Sequence, residues 1–338
     1  MKKSAILITG ANGEMGHGLI KALTNDMNKN IISLDINQID KDIKPYIYDS
    51  FSGSILDNNI LKKINDKYEI NEIYHLAALL SAKAELYPET AQDVNVSGTL
   101  KLLNMSIKQA KKQKKTLKFF FPSSIAVYGL NGITNKTKAG KINESEHCYP
   151  ETMYGCNKLY CEHLGRYFSL YYNRLSKEYK PGLIDFRAIR FPGLISALTL
   201  PTGGTTDYAP EMLHAAAKNK KYVCFVKENT RLPFMMMDDA INAIIQLMKT
   251  DKNSLTKMVY NIGSFSVSAL DFKKIICNNF INAEINFNVN IKKQSMVDSW
   301  PEDIDYSSAE QDWGFSPKYN FEKSFLEYLI PIIRSQYE

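Results

Sequence analysis

Short apolar segments alternate with longer amphipathic segments along this chain, and that alternation restricts the possible folds more than any other feature. The pattern predicts strands over residues 4–9, 31–35, 72–76, 117–122, 183–190 and 258–262. It predicts helices from a glycine-rich turn to about residue 27, and over residues 88–113, 152–172, 209–218, 238–249 and 269–280. Strands that alternate with helices of this length indicate βαβ units, and therefore an α/β fold with a parallel sheet covered on both faces.

The glycine-rich turn between the first strand and the first helix reads Gly10-Ala-Asn12-Gly13-Glu-Met-Gly16. Glycine is needed where such a turn is tight, where the backbone approaches a pyrophosphate, and where the helix packs on the strand. The anion would lie at the helix N-terminus, against unpaired N–H groups. Because glycines also mark ordinary turns, the motif is weak by itself.

The end of the second predicted strand supports a dinucleotide site. Asp35 follows the turn by about twenty residues, the place where a carboxylate accepts hydrogen bonds from an adenosine ribose. Its charge would repel a 2′-phosphate, so NAD is predicted over NADP. The alternative is that Asp35 is a plain turn residue. Asn95, inside the long helix, is a further candidate for ordering the site, and its alternative is a solvent-facing position.

The 338 residues suffice for one large α/β domain or for a domain with a smaller lobe, and no repeat or proline-rich linker divides them. The predicted fold is a Rossmann-type doubly wound parallel sheet with a smaller C-terminal substrate lobe. Residues 1–190 and 235–262 are predicted to form the NAD-binding domain. Residues 191–234 and 263–338 are predicted to form the substrate-binding lobe.

Composition and charge argue against several classes of function. The net charge is +6, yet only six of the 42 cationic residues are arginine, and the lysine-rich run 108–118 falls where a helix should end in solvent. No nucleic-acid partner is predicted. No segment approaches the roughly 18 apolar residues of a membrane span, so a soluble protein is expected. Five cysteines without a regular spacing indicate reduced thiols and a cytoplasmic location, and the histidines form no metal-ligand pattern.

Tyr154 and Lys158 stand four residues apart in a predicted helix, so their side chains share one face. Tyrosine titrates at about 10, and a nearby ammonium lowers that pKa, which makes Tyr154 a candidate general base. The pattern alone is common and usually structural. Ser123 and Ser124 follow Pro122 at the carboxyl end of the fourth strand, the edge where parallel sheets bind ligands. A hydroxyl there can hold a substrate oxygen, or it can simply cap a turn or helix.

In this order the motifs resemble those of the extended short-chain dehydrogenase/reductases, a family that includes nucleotide-sugar epimerases. Within the family, the chain is most similar to the L-threonine 3-dehydrogenase group. The matching segments are His75-Leu-Ala-Ala-Leu-Leu-Ser81, Pro122-Ser-Ser-Ile-Ala-Val127, Thr152-Met-Tyr-Gly155, Arg190-Phe-Pro-Gly-Leu-Ile-Ser196, Gly203-Gly-Thr-Thr-Asp-Tyr-Ala209 and Thr230-Arg-Leu-Pro233. The segment over residues 203–209 is the one specific to the threonine group.

The resemblance implies a role for each motif residue. Tyr154 would be the base, Lys158 its partner and a ligand of the nicotinamide ribose, and Ser124, beside Ser123, would polarise the hydroxyl. The implied cofactor-binding residues are Gly10, Asn12, Gly13, Glu14, Met15, Gly16, Asp35, Leu76, Ala77, Ala78, Asn95, Tyr154, Lys158 and Pro192. The implied substrate-binding residues are Ser81, Ser123, Ser124, Tyr154, Thr205, Thr206 and Trp300, the last as a closing wall.

The reaction that the resemblance implies is the NAD-dependent oxidation of the β-hydroxyl of L-threonine to L-2-amino-3-oxobutanoate. Residues 203–207 offer hydroxyls and backbone N–H groups at a helix start, which suit a small carboxylate. The alternative is that Thr206 or Asp207 merely caps that helix. The tyrosines of helix 152–172 exceed what one sheet face needs, and the resemblance implies a homodimer. They are Tyr160, Tyr167, Tyr171 and Tyr172.

Two other functions stay open from the sequence. The first is an NAD-dependent nucleotide-sugar epimerase or dehydratase. A diphosphate substrate calls for arginines near the substrate lobe, whereas residues 263–338 contain only Arg334. The second is a non-catalytic NAD-binding regulatory protein, which would leave Tyr154, Lys158 and Ser124 without a role.

Overall fold

A computed structural model describes residues 2–24, 29–197 and 204–337 of the chain. The strands are β1 (Lys3–Thr9), β2 (Ile31–Asp35), β3 (Asp49–Ser52), β4 (Tyr68–His75), β5 (Leu117–Ser124), β6 (Lys141–Ile142), β7 (Ile184–Phe191), β8 (Gly193–Ile195), β9 (Tyr222–Cys224), β10 (Arg231–Met236), β11 (Val259–Asn261), β12 (Phe265–Ser268), β13 (Ile285–Phe287) and β14 (Asp303–Ile304).

Seven of these strands form one parallel sheet in the order β11-β7-β5-β4-β1-β2-β3. Every residue of β2 and of β7 is buried, as expected for a sheet covered on both faces. The strand order reverses between β1 and β4, whose carboxyl ends carry the glycine-rich turn and the segment after His75. This arrangement confirms the predicted Rossmann-type fold, and the reversal is where such sheets bind dinucleotides.

Helices follow the strands in the predicted alternation. They are α1 (Glu14–Leu23), α2 (Asn58–Lys67), α3 (Ser81–Leu86), α4 (Pro88–Ala91), α5 (Gly98–Gln113), α6 (Ile133–Ala139), α7 (Met153–Leu170), α8 (Tyr208–Ala217), α9 (Met237–Lys249), α10 (Ala269–Asn279), α11 (Ile291–Asp298), α12 (Ser307–Trp313), α13 (Phe321–Lys323) and α14 (Ile330–Tyr337). The predicted end of the first helix near residue 27 falls outside the described residues.

The predicted long helix over residues 88–113 is one helical run with a change of hydrogen-bond register inside it. A π-helical segment, Gln92–Ser97, joins α4 to α5. The run ends at Lys114, which adopts the left-handed conformation with φ 55°, and Lys111 and Lys112 are exposed in the last turn. The lysine-rich run is thus the solvated, dipole-compatible helix end that its position predicted.

Some elements were not predicted, although local signals mark them. The Asp57 side chain caps α2 by accepting a hydrogen bond from the Asn59 N–H over 2.7 Å, and α2 buries Leu61 and Ile64. Strand β3 buries only Phe51, so its alternation is too short to recognise. Helix α11 has a cap at Asn290 but little apolar periodicity.

The chain divides into two compact units, each made of separate segments. The first lies within residues 1–123, 156–189 and 241–259, and the second within 124–155, 190–240 and 260–338. The first unit contains an aromatic and aliphatic core in which the rings of Phe119 and Phe186 stack at 5.9 Å. In the second, Phe234 and Phe272 pack edge to face at 4.9 Å. The predicted domain boundaries stay a prediction.

Two kinds of feature are absent from the described residues. In the parts of the chain that the structure describes, no helix combines the length and the apolar character needed to cross a bilayer. Over the same residues, no three His, Cys, Asp or Glu side chains gather in a group that could hold a metal ion.

Candidate active site

The glycine-rich turn requires glycine at two positions for distinct reasons. Gly10 has φ 68°, and a Cβ there would lie 2.6 Å from the backbone N of Ala77. A Cβ on Gly16 would lie 2.4 Å from the carbonyl oxygen of Ala11, so glycine lets α1 pack against its own turn. No side chain caps α1 at Gly13. The turn therefore presents a helix start with backbone N–H groups, which suits a pyrophosphate.

The carboxylate of Asp35 is buried at the end of β2 and ties that strand to the turn. One oxygen accepts the backbone N–H of Asn12 and the other that of Asn37, both over 3.0 Å. The Asn12 side chain adds a bond to the Gln38 carbonyl at 2.8 Å. A carboxylate has about four acceptor sites, so lone pairs stay available for ribose hydroxyls.

A buried series of hydrogen bonds runs from the end of β1 to α5, and the donor and acceptor of each bond can be assigned. Thr99 Oγ1 donates its one proton to the Asn95 carbonyl over 2.5 Å, so it can only accept from His75 Nε2, 2.9 Å away. His75 Nδ1 therefore accepts from Thr9 Oγ1 at 2.8 Å, and Thr9 accepts the Ala77 N–H at 3.3 Å. Burial lowers the pKa of His75 to about 3, so the imidazole is neutral. This series of hydrogen bonds fixes the backbone after β4, where Leu76, Ala77 and Ala78 lie.

Asn95 lies in the π-helical segment and is buried, which rules out a solvent-facing position. Its side chain pairs with both backbone groups of Leu79, accepting the N–H at 2.7 Å and donating to the carbonyl at 3.1 Å. It also donates to Asn157 of α7 over 3.2 Å. Asn95 therefore holds the segment between His75 and Ser81 against α7. Ser81 is the first residue of α3.

Lys158 is buried in the first unit, one helical turn after Tyr154 on α7. Its ammonium donates to the Pro122 carbonyl over 2.6 Å and lies 4.6 Å from the centre of the Phe121 ring. Burial lowers the pKa of Lys158 to about 8, and the neighbouring Cys161 and Glu162 act in the opposite direction. An ammonium is thus held against the end of β5.

The two serines of β5 have different environments. Ser123 is buried, and its hydroxyl donates to the Glu162 carboxylate over 2.5 Å. Ser124 is half-buried, and its oxygen accepts the N–H of Ala126 at 3.2 Å, which leaves the hydroxyl proton for another acceptor. Of the two hydroxyls, that of Ser124 keeps its proton for a further acceptor, and Ser124 also acts as the cap that the sequence offered as the alternative.

Tyr154 lies in the first turn of α7 and is half-buried. Gly155 lets this turn pack closely against the backbone of Ala126, because a Cβ at Gly155 would lie 2.0 Å from the Ala126 carbonyl oxygen. Burial raises the pKa of Tyr154 above its ordinary value. The sequence predicted a pKa lowered by Lys158; in this structure the direction is the opposite, because desolvation disfavours the phenolate.

The predicted substrate residues of the second unit occupy contrasting positions. Thr205 is buried and Thr206 half-buried just before α8. Asp207 sits at the helix start, but its side chain accepts the Gly204 N–H at 2.6 Å and makes no capping bond to α8. The capping alternative is therefore wrong for Asp207. Gly203 of the same motif lies outside the described residues.

Trp300 and Pro192 are also buried in the second unit. The indole N–H of Trp300 has no hydrogen-bond partner among the described residues. The backbone next to it is fixed, because the Leu130 N–H donates to the Ser299 carbonyl at 3.0 Å. Lys136, fully buried, donates to the Val297 carbonyl at 2.9 Å. An indole donor is thus presented on a rigid segment.

Sequence reasoning missed three kinds of site residue. Glu162 could have been noticed, since it follows Lys158 by one helical turn. Asn157 and the Thr9–Thr99 pair left no pattern, because their partners come from other elements. Their roles depend on tertiary contacts alone.

Comparison with known proteins places the chain among its relatives. Residues 6–263 match the NAD dependent epimerase/dehydratase family. The chain is 34% identical over 321 residues to the mitochondrial L-threonine 3-dehydrogenase of Bos taurus, covering 94% of this chain and 79% of the relative. It is 35% identical over 323 residues to an uncharacterized epimerase/dehydratase of Staphylococcus aureus (strain USA300), covering 95% and 93%.

A solved structure agrees in fold and sequence. A monomeric L-threonine 3-dehydrogenase of metagenomic origin, in its apo form, superposes with a TM-score of 0.86 at 36% identity, covering 98% of this chain and 100% of that one. The chain therefore belongs to the NAD-dependent epimerase/dehydratase family. It is an enzyme of that family, uses a nicotinamide cofactor and acts on a small molecule.

Proposed function

We propose that the chain is an NAD-dependent dehydrogenase that oxidises the β-hydroxyl of L-threonine to L-2-amino-3-oxobutanoate. The observation that carries the chemistry is the Lys158 ammonium, fixed on the Pro122 carbonyl directly before Ser123 and Ser124, one turn after Tyr154. The relatives and structures named L-threonine 3-dehydrogenase support the choice of substrate.

The residues fit a bound dinucleotide. Gly10 and Gly16 leave room for backbone approach, α1 begins without a side-chain cap, and Asp35 retains acceptor capacity. When bound, the cofactor supplies hydride acceptance. NAD is proposed over NADP because Asp35 would face the 2′-position. Lys158 would hold the nicotinamide ribose, and Pro192 and residues 76–78 would line the same site.

Proton transfer is assigned to Tyr154. As a phenolate it would accept the proton of the β-hydroxyl while the hydride on the same carbon leaves, so that the hydroxyl becomes a carbonyl. Ser124 would orient the hydroxyl oxygen. Because burial raises the pKa of Tyr154, the phenolate needs nearby positive charge, and the Lys158 ammonium is the source on the same helix face.

Substrate recognition is assigned to hydroxyl and N–H donors. Ser81, Thr205 and Thr206 would bind the carboxylate or amine of the amino acid, and Trp300 would close the pocket with its indole N–H as a donor. The alternative substrate, a nucleotide sugar, needs cations for a diphosphate. Arg334, near the C-terminus, donates a hydrogen bond to the Asn279 carbonyl, so this arginine is engaged within the protein itself.

The decisive assay follows NADH formation with L-threonine, L-serine, simple 2-alcohols and UDP-sugars. Reduction with L-threonine supports the proposal; reduction with UDP-sugars alone, or with nothing, refutes it. Tyr154→Phe should lower turnover by at least about a thousandfold, since the base is lost, while NAD affinity changes little. Tyr149→Phe is the control, because Tyr149 is 77% exposed and has no part in the proposed site or interface. A fully active Tyr154→Phe would remove Tyr154 from the mechanism.

A homodimer in the cytoplasm is proposed as the working assembly. Tyr160 and Tyr167 on α7 are 55% and 45% exposed, which provides aromatic surface for a second copy. One structurally similar L-threonine 3-dehydrogenase is described as monomeric, so a monomer is the alternative state. Light scattering on the purified chain decides between the two states, and a monomer at micromolar concentration would end this part of the proposal.

A further inference from the structure

Helix α7 is tied to the end of β5 by two consecutive bonds. The Lys158 ammonium donates to the Pro122 carbonyl over 2.6 Å. One turn later on the same helix, the Glu162 carboxylate accepts the hydroxyl of Ser123, the next residue of the strand. Lys158, Glu162 and Ser123 are 3%, 4% and 2% exposed. A buried ammonium and a buried carboxylate on α7 thus form hydrogen bonds with adjacent residues of the strand that ends in Ser124.

Several titratable groups lie near the Lys158 ammonium. Among the described residues, the titratable groups that interact with it electrostatically include Cys161 and Glu162 on its own helix and His75 at the end of β4. Burial raises the pKa of Cys161 to about 11 and lowers that of His75 to about 3, so both are neutral near pH 7. Strand β5 contributes the Pro122 carbonyl and the face of Phe121. Of these three groups, Glu162 is the one that can place a negative charge opposite the ammonium near pH 7.

We propose that Glu162 is a positioning residue that keeps Lys158 protonated and, through Ser123, fixes the strand end from which Ser124 acts. Residues four apart on a helix have Cβ atoms about 6 Å apart, where a buried carboxylate raises the pKa of an ammonium by about one to two units. Without it, desolvation would neutralise Lys158 near the working pH. This inference rests on the proposed function, because it gives Lys158 a role in binding NAD and in catalysis.

The test separates charge from hydrogen bonding with three variants. Glu162→Gln keeps an acceptor for Ser123 and removes the charge; Ser123→Ala removes the bond and keeps the charge; Glu162→Asp keeps the charge but shortens the reach. NAD affinity is measured by protein fluorescence from pH 6 to about pH 10, and turnover of L-threonine is measured over the same range. Thermal unfolding of each variant reports whether it folds.

In Glu162→Gln the upper pH limit of NAD affinity and of turnover should move down by at least about one unit, because Lys158 loses its proton earlier. Ser123→Ala and Glu162→Asp should keep the wild-type limit and lose turnover by about tenfold at every pH. If Glu162→Gln keeps the wild-type upper pH limit, or loses turnover equally at all pH values, the proposal is overturned. If Glu162→Gln does not fold, a shifted limit in either other variant overturns it. A wild-type enzyme inactive on L-threonine refutes the proposed function, while the NAD-affinity profile still decides on Glu162.

Discussion

The glycine-rich turn yields a prediction with a control in the same helix. Gly16 and Gly18 both lie in α1, so replacing either by alanine gains about 0.8–1 kcal/mol of helix propensity. Their surroundings differ. A Cβ on Gly16 would lie 2.4 Å from the Ala11 carbonyl oxygen, which is backbone, whereas a Cβ on Gly18 would lie 2.9 Å from Cγ1 and 3.3 Å from Cδ1 of the Ile241 side chain.

Gly16→Ala can be accommodated only if α1 or the turn moves. Overpacking of this kind costs about 1–3 kcal/mol, and the shift also displaces the N–H groups that face the pyrophosphate. We therefore expect Gly16→Ala to be about 2 kcal/mol less stable than Gly18→Ala and to bind NAD at least about tenfold more weakly. In Gly18→Ala the contact is with a side chain and not with backbone, so a displacement of Ile241 is offset by the gain in helix propensity, and stability and affinity stay near those of the wild type.

Chemical denaturation and NAD titration of the two variants provide the measurement. Both substitutions are Gly→Ala in one helix, so effects on the unfolded chain cancel between them. If Gly16→Ala matched Gly18→Ala in stability and in NAD affinity, the close approach of Ala11 would not be what requires glycine, and the argument for the turn would be refuted.

Two further predictions concern Asp35 and His75. Asp35→Asn keeps an acceptor for the Asn12 N–H but removes the charge, so NADP affinity relative to NAD should rise by about tenfold in binding titrations; an unchanged ratio would mean that Asp35 does not select the cofactor. The folded-state pKa of His75 is lowered to about 3, so His75 stays neutral in the pH range where the unfolded chain binds a proton. The free energy of unfolding should therefore fall by up to ~1.4 kcal/mol per pH unit from about pH 6.5 down to about 3. His75→Gln should lack this component, and an equal pH dependence of the two unfolding free energies would contradict the argument.

The fold was predictable where the sequence pattern is local. Strand β2 was predicted at its observed bounds, because the short, mostly apolar run over residues 31–35 ends at an acidic residue. All five residues are buried in the structure. The strand β3 was not predicted, because it buries one aromatic residue, and its place in the sheet depends on pairing with β2. Residue periodicity identifies what an element buries against the core, and short edge strands bury little.

The candidate site was predictable in its residue types but not in its connections. Spacing alone put Tyr154 and Lys158 on one helix face, and the structure agrees. That Lys158 binds the Pro122 carbonyl, and that Ser123 is occupied by Glu162, follow from how α7 packs on β5. The direction of the Tyr154 pKa also depends on burial, which spacing does not report.

The π-helical segment Gln92–Ser97 amounts to one extra residue within a helix, and this makes chain length itself informative there. Deleting one residue from the segment would restore an uninterrupted α-helix and turn everything before it by about 100° relative to α5. Asn95 would then face away from Leu79 while the amino-acid composition stayed almost unchanged. In comparing relatives, a single-residue gap at this place therefore carries more meaning than many substitutions.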